Sequence, residues 1–421
     1  MKTQFSLQHT KLVSFLLVLF CIQIVPLEGY GTSLVKVAVM CLMPFLIIRL
    51  TPNRTKAMTW GMLLIITMCV CAFMQSSVRI ATICYFILFV ITYILFYGLV
   101  YKGAVNLDFY MRFAKKFIFA FWVILVLQQL FVLAGIHYFP FINLSNQHFL
   151  SITKLPSLTL EPSHTARVLG VLFFSYIFCV QLKNNSIITL KDLINPAHRK
   201  VTFAFLWTML TMGSGTAFVM IAIILLFFLR SKNFIYIVPF FLVVVAVVVY
   251  SNVEQIQRIL FLIEAMKTND ATEILTADSS GAARILPFFN TIQEFDLTSK
   301  NFLFGSGTIM EEYEAAKWKE YLMTQKISTI EQYGFVTWIV SLLFVFKCAI
   351  RKLFCVETLI FIVALGFNLG NVAYVWGIMM LFTVIKYFEY QHKKYLKQKK
   401  NDKSVCVYGD LQRSQIHKGT D

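Results

Sequence analysis

Charged side chains are scarce in this sequence. Only 14% of its 421 residues are Asp, Glu, Lys or Arg, while 58% are hydrophobic. Soluble globular domains carry about 25% charged residues, so an ordinary water-exposed surface is excluded. Many apolar runs reach about 17–20 residues, the length needed to cross a hydrocarbon core ~30 Å thick. The composition therefore predicts an integral membrane protein.

Metal-binding and disulfide patterns are also lacking. The nine cysteines lie mostly within or beside apolar runs, and none falls in the large polar segment at 252–330. No two of them have the spacing of zinc ligands. We interpret them as small apolar residues and predict no metal site or disulfide framework among them.

The apolar runs predict an all-α polytopic membrane protein with about twelve transmembrane helices. Three of the runs, the seventh, eighth and eleventh, are short for a full crossing. The predicted spans are 12–27, 34–49, 57–74, 80–100, 117–134, 166–182, 201–212, 216–229, 234–250, 332–347, 354–368 and 371–387.

Four regions follow from these spans. Residues 1–250 hold nine helices and an outer loop at about 135–165. Residues 251–331 form one large, helical extracytoplasmic loop. Residues 332–387 hold three more helices, and 388–421 form a basic cytoplasmic tail.

The formal net charge of +17 would suit a nucleic-acid-binding protein, but the positions of the charges do not. Most Lys and Arg residues lie in every second connection between apolar runs. Cytoplasmic loops of membrane proteins show this excess of positive charge. The pattern predicts cytoplasmic N- and C-termini, and no nucleic-acid partner.

Acidic and histidine side chains are missing near the centres of the predicted spans, where an ion-coupled transporter usually carries them. Ionisable residues gather instead at the predicted outer mouth of the bundle, which favours an outward-facing site over a conduction path. These residues are Arg79, Glu161, His164, Arg167 and Arg284.

Residues 161–167 stand at the outer entrance of the sixth predicted span. Pro162 can begin a helix, which is the structural interpretation. The functional one makes Glu161 or His164 a general base at the membrane surface. Arg167 lies one turn inside, where an unpaired guanidinium is costly, so it needs Glu161 or an anionic substrate as a partner.

Two Gly-Ser-Gly sequences stand at 213–215 and 305–307. Each is either a tight turn or a nest of backbone amides for a phosphate, with Ser214, Gly305 and Gly307 as the residues concerned. Neither is a P-loop, because no Lys follows at the required spacing. Arg284 lies in an otherwise apolar stretch of the large loop, and its planar guanidinium suits a pyrophosphate.

The order of these motifs resembles the Wzy-type polysaccharide repeat-unit polymerases and the related O-antigen ligases. The resemblance rests on Glu-Pro-Ser at 161–163, the Gly-Ser-Gly break at 213–215 and the long outer loop. That loop contains Gly-Ala-Ala-Arg at 281–284 and Asn-Phe-Leu-Phe-Gly-Ser-Gly at 301–307. Glu-Gln-Tyr-Gly-Phe follows at 331–335. The residue-level motifs cover about 160–335.

The resemblance implies a membrane glycosyltransferase of the bacterial inner membrane. It would move a growing glycan from an undecaprenyl-pyrophosphate carrier onto a new lipid-linked repeat unit, without nucleotide sugar or metal. The product would be O-antigen, capsular or exopolysaccharide, and a chain-length regulator is a possible protein partner. On this pattern Arg284 matches the family's large-loop Arg, while Arg79 and Arg167 are additional pyrophosphate contacts.

One departure from the pattern concerns the ligases, which carry a His in the large loop after the Gly-x-Gly stretch. This loop has no His. The general base is then Glu161 or His164, or an acidic residue such as Glu311, Glu312 or Glu331. A ligase and a flippase of lipid-linked oligosaccharides remain the alternatives, although a flippase would be expected to show two similar halves.

Overall fold

The computed structural model describes residues 7–23, 33–50, 54–136, 154–228, 261, 264–267, 271–277, 279–307 and 323–416, and every regular element in these ranges is a helix. Of the helices whose bounds lie in the described ranges, nine precede the large loop, three lie within it and three follow it. They are α1 Leu7–Cys21, α2 Leu34–Leu50, α3 Lys56–Phe73, α4 Ile80–Tyr101, α5 Leu107–Leu133, α6 Pro162–Asn184, α7 Leu190–Ile194, α8 Pro196–Thr211, α9 Gly215–Phe228, α10 Ala271–Ala277, α11 Ser279–Gln293, α12 Lys300–Phe304, α13 Ser328–Cys348, α14 Val356–Leu359 and α15 Ala373–Ile416, with a π-helical turn at Ile360–Ala364.

Five of these helices, α3, α4, α5, α6 and α13, are long and apolar enough to cross a membrane. Two shorter apolar helices are Gln8–Cys21 and Gly215–Phe228. The helical, multi-span character predicted from composition is therefore confirmed. Eleven of the predicted spans overlap a helix. The ninth, at 234–250, lies outside the described residues, and the count of twelve and the orientation stay predictions.

The centre of the bundle is formed by α4 and α6. Both are apolar on most of their circumference, and such a helix is found in contact with other helices or with membrane lipid on every face. Accordingly, α6 is buried almost continuously from residue 163 to 180. The first turns of α15 pack against α4 and α6. Trp376 of α15 stacks on Phe89 of α4, with ring centroids 5.6 Å apart.

One end of the bundle is basic. Here α4 ends, α5 begins and α6 ends, and Lys183 forms an ion pair of 2.7 Å with Asp108. Lys115 donates to the carbonyl of Ala197 at 3.0 Å, and Lys386 donates to that of Lys347 at 2.7 Å. We call this the basic end. The opposite end, where α4, α6, α13 and α15 begin, is called the cavity end.

The large loop is helical in its described part, as predicted. Its helix α11 is fixed to the chain before α13, because the side-chain amide of Asn290 donates to the carbonyls of Met323 and Gln325, both at 2.9 Å. The predicted junction at 387–388 does not interrupt α15, which continues as one helix into the basic tail. Lys, Gln and Leu are good helix formers, so nothing at this junction ends the helix.

Candidate functional site

A cavity of about 870 Å³ opens at the cavity end. Elements far apart in the chain line it: the start of α4, α6, α11, the start of α13, and residues 363–375. Its described lining contains four basic residues and no Asp or Glu. The basic residues are Arg79, Arg167, Arg284 and Lys326.

Arg79 occupies the N-cap position of α4 with an extended backbone, and its side chain makes no capping hydrogen bond. Its carbonyl accepts from the amide of Thr82 at 3.0 Å, which begins the helix. The free amides of a helix N-terminus carry positive partial charge. Arg79 therefore adds a full charge to an already positive helix end at the mouth of the cavity.

Arg167 lies one turn inside α6 and is only 8% exposed. Its Nη1 donates to the hydroxyl of Tyr374, and its Cζ lies 5.6 Å from the centroid of the same ring. Its buried Nε has no hydrogen-bond partner. Burying a guanidinium without a counter-ion is costly. Among the residues that the structure describes, Arg167 thus has a neutral partner, and no carboxylate lies at ion-pair distance from it.

Glu161 was one of the two partners predicted for Arg167, and it lies elsewhere. Its Oε2 accepts from the hydroxyl of Ser163 at 3.1 Å and lies 3.7 Å from Nε2 of His164. The His164 ring stacks on Tyr374, with centroids 4.2 Å apart. Tyr374 therefore joins the carboxylate–imidazole pair to Arg167, although neither Glu161 nor His164 lines the cavity itself.

Arg284 reaches the cavity from α11, where it is half-buried. Pro287 and Phe288, one turn further along, line the cavity as well. The neighbouring Lys326 is paired, since its Nζ lies 2.7 Å from Oε2 of Glu294. The large loop thus contributes two of the four basic side chains, Arg284 and Lys326.

Gly305 and Gly307 lie outside the cavity lining and fasten the large loop to the bundle. Gly305 has φ +91°, and a Cβ on it would lie 2.8 Å from the amide nitrogen of Gly334. The side-chain amide of Gln75 donates to the carbonyls of Phe304 and Gln332 at 2.6 and 2.8 Å. This close approach of backbone to backbone explains the need for glycine.

Ser214 is likewise distant from the cavity lining. It lies in the turn between α8 and α9, is buried, and its carbonyl accepts from Ala217 at 3.0 Å. The predicted break at 213–215 is therefore present as a turn between two short helices. Phosphate binding by Ser214, Gly305 or Gly307 stays a prediction.

Among the lining residues missed by sequence reasoning are Tyr374, Asn368 and Asn371. Asn368 is the last residue of the predicted eleventh span, 354–368. Asn371 and Tyr374 lie at the start of the predicted twelfth span, 371–387. The predicted eleventh span is helical only to Ala364. The available signal was the cluster Gly-Phe-Asn-Leu-Gly-Asn at 366–371, where two amides and two glycines interrupt an apolar run.

Comparison with known proteins identifies no relative of this chain. No protein-family model matches the chain, and no curated protein sequence or solved structure matches it significantly. The class that the fold defines is an all-helical protein with several helices able to cross a membrane. The site is a cationic cavity at one end of that bundle.

Proposed function

We propose that this protein polymerises oligosaccharide repeat units carried on undecaprenyl pyrophosphate. The observation that carries the proposal is the convergence of Arg79, Arg167 and Arg284 on one cavity whose described lining has no carboxylate. These arginines come from a helix start, a helix interior and the large loop. A dianionic or more highly charged ligand is the natural complement to such a cluster.

For this reaction the protein must stabilise the leaving group and remove a proton from the acceptor hydroxyl. The bond between the sugar's anomeric carbon and the pyrophosphate oxygen breaks, and a hydroxyl oxygen of the acceptor sugar bonds to that carbon. Arginines stabilise the negative charge that develops on the departing lipid pyrophosphate. A general base takes the hydroxyl proton, and the contact between Glu161 and His164 offers that base next to Arg167.

Apolar residues form part of the same cavity wall. Leu34 and Val37 of α2 and Leu88 of α4 line it together with the arginines. A lipid-linked substrate has a polyprenyl tail and a charged head, so it needs apolar and cationic surfaces side by side. A soluble nucleotide sugar would not need the apolar surface.

The distribution of charge supports an outward-facing site. The basic end lies opposite the cavity, and positive charge accumulates on the cytoplasmic side of membrane proteins. The cavity then faces the outer surface of the bacterial inner membrane, in contact with membrane lipid. Lipid-linked repeat units would reach it there, and a chain-length regulator could contact the same face.

The test is a gel of surface polysaccharide from cells lacking the gene, complemented with wild type or with Arg284→Ala. We expect the variant to yield a single repeat unit where wild type yields a ladder. The matched control is Arg112→Ala, which removes an exposed arginine at the basic end and should restore the full ladder.

The same gel distinguishes the alternatives. Long chains that accumulate on the lipid carrier without transfer would indicate a ligase. Repeat units retained on the cytoplasmic side would indicate a flippase. A full ladder from Arg284→Ala, at wild-type protein level, would remove Arg284 from the site.

A further inference from the structure

The segment 365–372 interrupts the helical structure at the cavity. The π-helical turn ends at Ala364 and α15 begins at Ala373. Between them the backbone is irregular, and Phe367 has φ +52°, a left-handed conformation that is unusual for a bulky residue. Non-helical backbone within a membrane protein is tolerated where it is buried in protein or lines a cavity, and this segment lines one.

Side chains from α13 and α15 hold the segment in place. The indole nitrogen of Trp376 donates to the carbonyl of Gly370 at 3.0 Å, and that of Trp338 donates to the carbonyl of Phe367 at 3.1 Å. The amide of Asn371 donates to the hydroxyl of Tyr333 at 2.9 Å. The irregular backbone is thus a rigid wall, as a binding surface requires.

The polar groups of this wall carry no charge. Asn368 and Asn371 face the cavity together with polar side chains from the chain around the start of α13. Asn368 donates to the hydroxyl of Ser328 and accepts from that of Thr329. Five neutral polar lining residues from the segment and the chain around the start of α13 form what we call the amide wall: Gln325, Ser328, Gln332, Asn368 and Asn371.

Neutral amides suit a different ligand group from the one that the arginines suit. An amide both donates and accepts hydrogen bonds, as a sugar hydroxyl does, but it cannot balance the charge of a phosphate. One cavity therefore presents two chemistries, a cationic part and an uncharged hydrogen-bonding part.

The two parts are adjacent. A Cβ on Gly366 would lie 3.3 Å from the ring of Phe288, which is one helical turn after Arg284. At the other end of the segment, Tyr374 accepts a hydrogen bond from Arg167. A sugar held by the amide wall would therefore lie beside a pyrophosphate held by the arginines.

We infer that the amide wall is the subsite for the uncharged, hydroxyl-rich sugar of the acceptor repeat unit. The inference rests on the proposed function and deepens it, because it separates recognition of the acceptor sugar from binding of the pyrophosphate. The acceptor hydroxyl would be presented to the bond that breaks at the arginines.

The experiment uses two readouts on the full-length protein. Thermal unfolding in detergent with inorganic pyrophosphate reports the cationic part, and the polysaccharide ladder of complemented cells reports polymerisation. The variants are Asn368→Ala and Asn371→Ala. The matched control is Gln129→Ala. The Gln129 side chain donates a hydrogen bond to Thr211 and accepts one from Trp207, which joins α5 to α8 outside the cavity lining.

We expect pyrophosphate to stabilise both Asn variants as much as it stabilises the wild-type protein. The amount of long polysaccharide should fall about tenfold, because one or two neutral hydrogen bonds are lost. Gln129→Ala should keep both readouts. A full ladder from both Asn variants, or loss of the pyrophosphate effect along with the ladder, would overturn the subsite.

The proposed function fails in a different way. If pyrophosphate does not stabilise the wild-type protein, or stabilises Arg284→Ala equally well, the cationic part does not bind pyrophosphate. That result removes the proposed function and the subsite with it, whereas failure of the Asn variants alone leaves the proposed function standing.

Discussion

Two buried arginines, one at each end of the bundle, are surrounded very differently. At the basic end, the Arg351 side chain is 10% exposed and forms two hydrogen bonds to the carboxylate of Glu357, which is fully buried. Its Cζ lies 4.2 Å from the centroid of Phe178. At the cavity end, Arg167 is buried to a similar degree, and its partner among the described residues is the hydroxyl and ring of Tyr374.

The electrostatic consequence also differs. Burial lowers the pKa of Arg351, but the hydrogen bonds and negative charge of Glu357 outweigh burial and raise that pKa above its usual value. The charge of Arg351 is therefore balanced by Glu357, and we interpret its role as structural. The described lining of the cavity that holds Arg167 contains no carboxylate, and a buried charge in such surroundings costs stability unless an anion binds. The difference indicates that a buried charge left uncompensated is a better guide to function than a buried charge as such.

The largest expected effect is on stability at the basic end. Arg351→Met leaves the Glu357 carboxylate buried without its counter-ion, so the free energy of unfolding should fall by about 3–5 kcal/mol. Thermal unfolding in detergent measures this. The control is Lys183→Met, which breaks an exposed, solvent-screened ion pair and should leave the unfolding temperature nearly unchanged. Equal, small effects would show that Arg351 is no more structural than a surface residue.

The same substitution at the cavity end should give the opposite pattern. Arg167→Met removes an uncompensated charge, so thermal stability should hold or rise. Polymerisation should fall about 100-fold or more, since a group that stabilises a developing charge contributes about 3 kcal/mol. The polysaccharide ladder and the unfolding temperature are measured on one preparation. A large loss of stability would place Arg167 in the same structural class as Arg351.

A conservative change at Arg284 should have a smaller effect. Arg284→Lys keeps the charge but replaces a planar, bidentate donor with a point charge. We expect chain growth to fall about tenfold, between wild type and the near-complete loss in Arg284→Ala, because one charge-assisted hydrogen bond is lost. Full activity in the Lys variant would mean that only the charge matters there.

The smallest predicted effect concerns Tyr374. Tyr374→Phe removes the hydroxyl that holds Arg167 and keeps the ring that stacks on His164. Chain growth should fall by less than about tenfold, because the Tyr374 hydroxyl orients Arg167 and carries no charge itself. Chain growth should fall further in Tyr374→Leu, which also removes the ring. If the Phe and Leu variants show the same loss, the ring has no role beyond filling space.

Several features of this protein were predictable because they depend on local composition. The apolar runs predicted helices, and eleven of those runs overlap a helix. The break at 213–215 was predictable from its two glycines. The three arginines were identifiable as candidates because each stands at a polar interruption of an apolar sequence.

Other features depended on contacts between distant residues. Gly305 resembled a phosphate-binding glycine, yet the backbone of Gly334 passes close to it and the pair fastens the loop to α13. The stretch 354–368 was predicted as a span from its hydropathy. Its end is irregular instead, since Trp338 and Ser328 supply hydrogen bonds that a continuous helix would not need.

The sequence by itself determined that this is a helical chain with several apolar segments and that its arginines stand where those segments are interrupted. Hydrophobicity and charge are properties of each residue, so they can be read one segment at a time. Only the tertiary structure decided that Arg79, Arg167 and Arg284 share one cavity and that Tyr374 joins Arg167 to His164. Convergence of side chains 88 or more positions apart depends on how the helices pack, and packing is decided by shape complementarity across the whole bundle.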